Sequence, residues 1–178
     1  LGQLPGKNLY QGAIREAQQD GANVIAWPKY FYKEGHEQVG VLLLHGYTAG
    51  PVQMLELAKM LYENNIACYL PRLKGHGTNP EDLRHRKWME WRRDAELACQ
   101  LLCSRCEKVF VLGFSLGGTL AYLLASEYPE IAGVITNGAF FKAAHWGGNI
   151  LRAIESVLEC FDLDLGMPKV PIDPSTKH

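Results

Sequence analysis

Val109-Phe110-Val111-Leu112-Gly113-Phe114-Ser115-Leu116-Gly117-Gly118 decides the fold, because a short apolar run passes into a serine bracketed by glycines and then into a helix-forming stretch. Nearly continuous apolar runs of this length suit strands buried on both faces of a parallel sheet. A serine forced onto a sharp strand-to-helix turn stands exposed at the end of the sheet. Glycines two before and two after it leave room for the tight backbone. Residues 116–127, rich in Leu and Ala, form a helix whose positive dipole end and free N–H groups favour a developing oxyanion. A bare Gly-x-Ser-x-Gly is common by chance; the strand before it and the helix after it give this one its weight.

Working outward, residues 39–44, 66–70 and 131–136 are three further apolar runs. Between them lie segments with helical spacing: 51–63, with Met54, Leu57, Ala58 and Leu61, and 88–102, with Trp88, Trp91, Ala95, Ala98 and Leu102. The order β-α-β-α-β-α-β predicts an α/β fold with a mostly parallel, doubly wound sheet and right-handed crossovers. Ligands then bind beyond the carboxyl ends of the strands. Residues 1–38 read as an N-terminal extension with a helix near 10–19 and an edge strand near 30–33. Residues 39–139 read as the core. Residues 140–178 read as the start of a lid or cap, with a helical stretch near 149–160 and a tail broken by Pro168, Pro171 and Pro174.

The partner of the serine turn is Leu43-Leu44-His45-Gly46-Tyr47-Thr48, at the carboxyl end of the first buried run. In such a sheet it lies beside Ser115, and the residue after His-Gly can aim its backbone N–H into the site. The N–H groups of Tyr47 and Leu116 are therefore the candidate oxyanion hole, with Gly46 beside the substrate. His45 reads as a structural residue of the loop rather than a base. Aromatic residues just past the last strand, Phe140, Phe141 and Trp146, are candidate walls of an apolar pocket.

Composition narrows the partner. The chain has 178 residues, 47% of them hydrophobic and 21% charged, which suits one domain with its own core. The apolar runs are far shorter than a membrane-spanning helix requires. A net charge of −1 supplies no field for nucleic acid or anionic lipid. Arg84, Arg86, Lys87, Arg92 and Arg93 form a basic run, but Glu81, Asp82, Glu90, Asp94 and Glu96 interleave with it, as on a solvated helix laced with ion pairs. Five cysteines are an odd set in a chain too large to need disulfides, which favours reduced thiols and a cytoplasmic location. Cys103-Ser104-Arg105-Cys106 has no second ligand pair, so no metal is expected. The chemistry calls for no cofactor.

The segment Pro71-Arg72-Leu73-Lys74-Gly75-His76-Gly77-Thr78-Asn79-Pro80-Glu81-Asp82-Leu83, taken with LLLHGYTAGP and GFSLGG, resembles the α/β-hydrolase superfamily of serine hydrolases. The likeness is to small bacterial carboxylesterases and monoacylglycerol lipases, and it covers roughly residues 39–139. It implies an eight-stranded, mostly parallel sheet, a lid after the sixth strand and hydrolysis of carboxylic esters of small or lipid-like molecules. Role by role it implies Ser115 as nucleophile and Tyr47 and Leu116 as oxyanion donors, with residues 75–77 shaping the loop beside the pocket. In that family the triad acid and base follow the serine on late loops. Neither is identifiable here. His145, His178, Asp162, Asp164 and Asp173 follow no expected strand, so the chain reads as the N-terminal part of a longer hydrolase. Its unfinished sheet edge invites self-association or a complementing segment. The alternative is a hydrolase-like binding module without catalysis, or an inert fragment, because no triad Asp or His is identifiable.

Overall fold

The computed structural model describes residues 5–35 and 37–139. The chain order is α1 (Pro5–Gln19), β1 (Lys29–Phe31), β2 (Val39–Leu44), α2 (Leu55–Glu63), β3 (Ala67–Leu70), α3 (Pro80–His85), α4 (Trp88–Cys103), β4 (Lys108–Phe114), α5 (Leu116–Glu127) and β5 (Ile131–Asn137). The strands form one sheet in the order β1-β3-β2-β4-β5. β3, β2, β4 and β5 run parallel, and β1 closes one edge antiparallel to β3.

Alternation along the strands assigns two cores. Leu42 and Leu44 of β2 and Val109 and Val111 of β4 face α4 and α5, where Trp91, Ala95, Ala98, Leu102, Leu120 and Leu124 complete the larger cluster. Val41 and Leu43 face the other way, onto Ala58, Leu57 and Leu61 of α2. Each fully buried Leu contributes about 1.5–3 kcal/mol, so both faces of β2 hold the sheet. This two-sided burial explains why the run 39–44 shows no polar alternation.

Every strand and all but one helix expected for residues 39–139 form within a residue or two of their expected bounds. The helix expected at 51–63 divides: Pro51–Met54 is a tight 3-10 turn entered from an extended Gly50, and the α-helix begins at Leu55. The early helix is longer than the 10–19 expected, and it packs on α4. The short helix α3 was not expected. Its signal was nonetheless in the sequence: the Asn79 side chain accepts from the Asp82 N–H at 2.9 Å and Pro80 takes the first helical position.

The basic run behaves as a solvated face. Arg86 pairs with Asp82 and Glu90, and Arg92 with Glu96 and Glu127. Trp91 enters the core, while Trp88 packs half-buried against it. The thiols of Cys68 and Cys99 are pushed up to about 12 by burial, and that of Cys106 to about 11, so they stay protonated at neutral pH. Among the described residues no cluster of three metal-ligating side chains forms, and no helix is long and apolar enough to cross a membrane.

Candidate active site

The chain turns back on itself at β2. After β2 it adds β3 on one side, then crosses to place β4 on the other. The crevice at such a switch point lies at the carboxyl ends of the two strands, where Leu44 pairs in register with Gly113. Two turns leave β2 and β4 there.

The turn after β4 carries Ser115. Its φ of 52° and ψ of −116° place it in a region that L-residues adopt only under constraint. Three contacts impose that constraint. A methyl group on Gly113 would run into the Gly117 carbonyl, and one on Gly117 into the carbonyl of Leu44. The Ser115 N–H donates to the Asn137 carbonyl at 2.8 Å, tying the turn to the end of β5. The Ser115 carbonyl then accepts from Gly118 and Thr119, which starts α5 and leaves the Leu116 N–H in the unpaired first turn.

The turn after β2 is built differently. Gly46 donates its N–H to Gln53 Oε1 at 2.8 Å, and its carbonyl accepts from Ala49 N–H and His45 Nδ1. Thr48 has a φ of 62°, and Tyr47 turns its ring inward against Trp91 and His76, each at 5.7 Å between ring centroids. A Cβ on Gly46 would stand 3.5 Å from Ser115 Cβ. The same Cβ would stand 3.1 Å from Phe114 Cδ1, so the two turns lie side by side with little room for a side chain at Gly46.

His45 is wholly buried, and both its nitrogens are engaged. Nδ1 donates to the Gly46 carbonyl at 2.9 Å, while Nε2 accepts the Leu73 N–H at 3.2 Å. Because a backbone N–H can only donate, the proton on the ring sits on Nδ1. Burial and the neighbouring His76 push its pKa down to about 3, so the ring is neutral and has no nitrogen left to act as a base. His76 is pushed down to about 4 by burial, and its Nδ1 lies 3.0 Å from the Leu73 carbonyl. His85 pairs with Glu81 on the exposed α3. No histidine among the described residues bonds to Ser115.

The structure thus brings together Ser115, Leu116, Gly46 and Tyr47. Phe140, Phe141 and Trp146 lie outside the described residues, as do His145, His178, Asp162, Asp164, Asp173 and the helical stretch near 149–160. Gln53, which fixes the Gly46 peptide, escaped the sequence reading; it sits on the outer surface of a helical turn, and only folding brings it to Gly46. A separate cleft between α1 and α4, lined by Asn8, Gly12, Tyr69, Asp94 and Leu101, does not include Ser115.

A thermostable monoacylglycerol lipase from Bacillus sp. (strain H-257) is 40% identical over 140 residues, which are 75% of this chain and 56% of that protein. A carboxylesterase from Bacillus subtilis (strain 168) is 32% identical over 112 residues, 62% of this chain and 45% of that one. A solved structure from work on the metagenome-derived lipolytic enzymes LipS and LipT superposes with a TM-score of 0.63 at 31% identity, covering 75% of this chain and 52% of its own. The chain spans about half the length of the curated relatives it matches. Its sheet order, strand directions and strained serine turn are those of an α/β-hydrolase fold. The family described as serine aminopeptidase, S33, matches residues 35–173, and the chain belongs to that family of hydrolases.

Proposed function

We propose that this chain supplies the nucleophile and oxyanion hole of a serine hydrolase that cleaves carboxylic esters, of carboxylesterase or monoacylglycerol lipase type. One observation carries the reading: a constrained Ser115 stands against the Gly46 turn across the β2–β4 switch point. The named relatives, a monoacylglycerol lipase and a carboxylesterase, favour esters over the peptide bonds that the family description suggests.

In this reading Ser115 Oγ attacks the ester carbonyl and its proton passes to a base. The carbonyl oxygen becomes an oxyanion held by the N–H groups of Tyr47 and Leu116. The alcohol leaves, and water then releases the acid from the acyl-enzyme. No residue of this chain is assigned as that base or as the carboxylate that orients it. Phe140, Phe141 and Trp146 line the acyl pocket, with Gly46 at its floor. We also propose 1–38 as an edge-strand extension, 39–139 as the core and 140–178 as the start of the lid, in a protein of a reducing, cytoplasmic compartment. Among the described residues β5 pairs with β4 alone and exposes Ile135 at 59%, so the isolated 178-residue chain self-associates along that strand.

The test uses the longest natural form of the protein and a panel of nitrophenyl esters and aminoacyl nitroanilides. Ester turnover that falls at least about 10³-fold in Ser115→Ala is expected. Turnover confined to the anilides would replace the esterase reading with a peptidase. Ester turnover untouched by Ser115→Ala would remove Ser115 from the mechanism.

A further inference from the structure

The family match begins at residue 35, yet the chain before it reaches the candidate site. Asp20, just past α1, accepts from the buried guanidinium of Arg72 and, at 3.2 Å, from Lys74 Nζ. Lys74 also pairs with Glu16 on the last turn of α1. Further along, the Asn23 N–H donates to the Gly77 carbonyl at 2.8 Å. Ala26 packs against both Gly77 and Gly50, whose added Cβ would stand 3.6 Å from the Ala26 methyl. Residues 16–26 therefore back onto the 71–77 loop along its length and onto the end of the 45–50 turn.

From that loop a chain of contacts leads to Tyr47. Arg72 donates its second arm to the His76 carbonyl at 3.3 Å. The His76 ring meets the His45 ring edge-on at 4.7 Å and the Tyr47 ring at 5.7 Å. His45 in turn joins the Leu73 N–H to the Gly46 carbonyl, the peptide whose N–H belongs to Tyr47. A planar guanidinium with one carboxylate on one arm and a backbone carbonyl on another fixes direction as well as distance.

We propose that the segment 16–26 is a clamp on the oxyanion turn, with Asp20 its positioning residue: through Arg72 and His76 it sets where the Tyr47 N–H points. The inference rests on the oxyanion role given to Tyr47 above. A small misplacement of such a donor lowers the rate of the chemical step far more than it weakens substrate binding.

The experiment compares Asp20→Asn and Asp20→Glu with wild type in the longest natural form of the protein, with Glu56→Gln on the exposed face of α2 as control. Four quantities are read: kcat and KM on an ester, the thermal midpoint, and the position of the Tyr47 amide in protein carrying ¹⁵N-tyrosine, identified by Tyr47→Phe. In Asp20→Asn kcat falls about tenfold with KM within about twofold, and the Tyr47 amide shifts. Asp20→Glu restores most of both, and Glu56→Gln changes neither. An Asp20→Asn enzyme with wild-type kcat and an unmoved Tyr47 amide overturns the clamp. Absence of ester turnover in wild type breaks the function reading instead, and the amide position then decides the clamp by itself. Should Asp20→Asn fail to fold, Arg72→Lys, which keeps the charge and loses the two-armed geometry, is read in the same way.

Discussion

The two turns that meet at the site are held in opposite ways. The turn after β4 is fixed by backbone against backbone: glycines 113 and 117 pack so closely that no side chain fits, and the Asn137 carbonyl pins Ser115. The turn after β2 is fixed by side chains, its own His45, then Gln53, and behind them His76, Arg72 and Asp20 from other segments. The first is a rigid seat that few substitutions can adjust. The second draws on distant segments, so it can be tuned without disturbing Ser115.

The largest effect is expected where the backbone contact is closest. Gly117→Ala drives a methyl into the Leu44 carbonyl and destabilises by about 3 kcal/mol or more; an unchanged urea midpoint would break the contrast at its strong end. Next comes Asp94, whose carboxylate accepts the Lys74 N–H at 2.6 Å and is pushed up to about 7 by burial. An unfolded Asp ionises near pH 4. Between about pH 4 and 7 the unfolded state gives up a proton that the folded state keeps, so wild-type stability falls as pH rises. Asp94→Asn keeps an acceptor for Lys74 and lacks that loss. Its stability relative to wild type therefore grows across the window, to roughly 1–4 kcal/mol at pH 7. Denaturant titrations at several pH values check this, and a flat difference would contradict it.

Gln53→Ala sharpens the comparison from the other side. Gln53 is exposed except for its contact with the Gly46 N–H, so stability changes by about 1 kcal/mol or less while kcat drops about tenfold. Equal losses of stability and activity would make the turn an ordinary part of the core. The smallest effect is at Cys103, an exposed thiol 3.9 Å from Cys99: Cys103→Ser stays within about 0.5 kcal/mol in the same titrations.

The difference between the turns also explains what the sequence revealed. The elbow is legible because its glycines and serine lie within six consecutive residues after an apolar run, although the Asn137 and Leu44 carbonyls that also hold it do not, and the β2 run is legible because it is buried on both faces. Tyr47 and Gly46 were legible from the His-Gly pair at a strand end. Gln53 and Asp20 were not, because their importance comes from contacts across 7 and 52 residues that no local spacing encodes. The antiparallel pairing of β1 with β3 was likewise invisible in three half-buried residues. His45 spends both nitrogens on backbone, so it is a strut, as its place at a strand end next to Gly46 predicts.

The central claim is that Ser115 is an activated nucleophile. Its most direct test is the intact mass, under denaturing conditions, of the longest natural form of the protein before and after a fluorophosphonate, alongside Ser115→Ala. The account predicts one added phosphonyl group in wild type and none in the variant. An adduct that persists in Ser115→Ala, or none on a folded wild type, would contradict it.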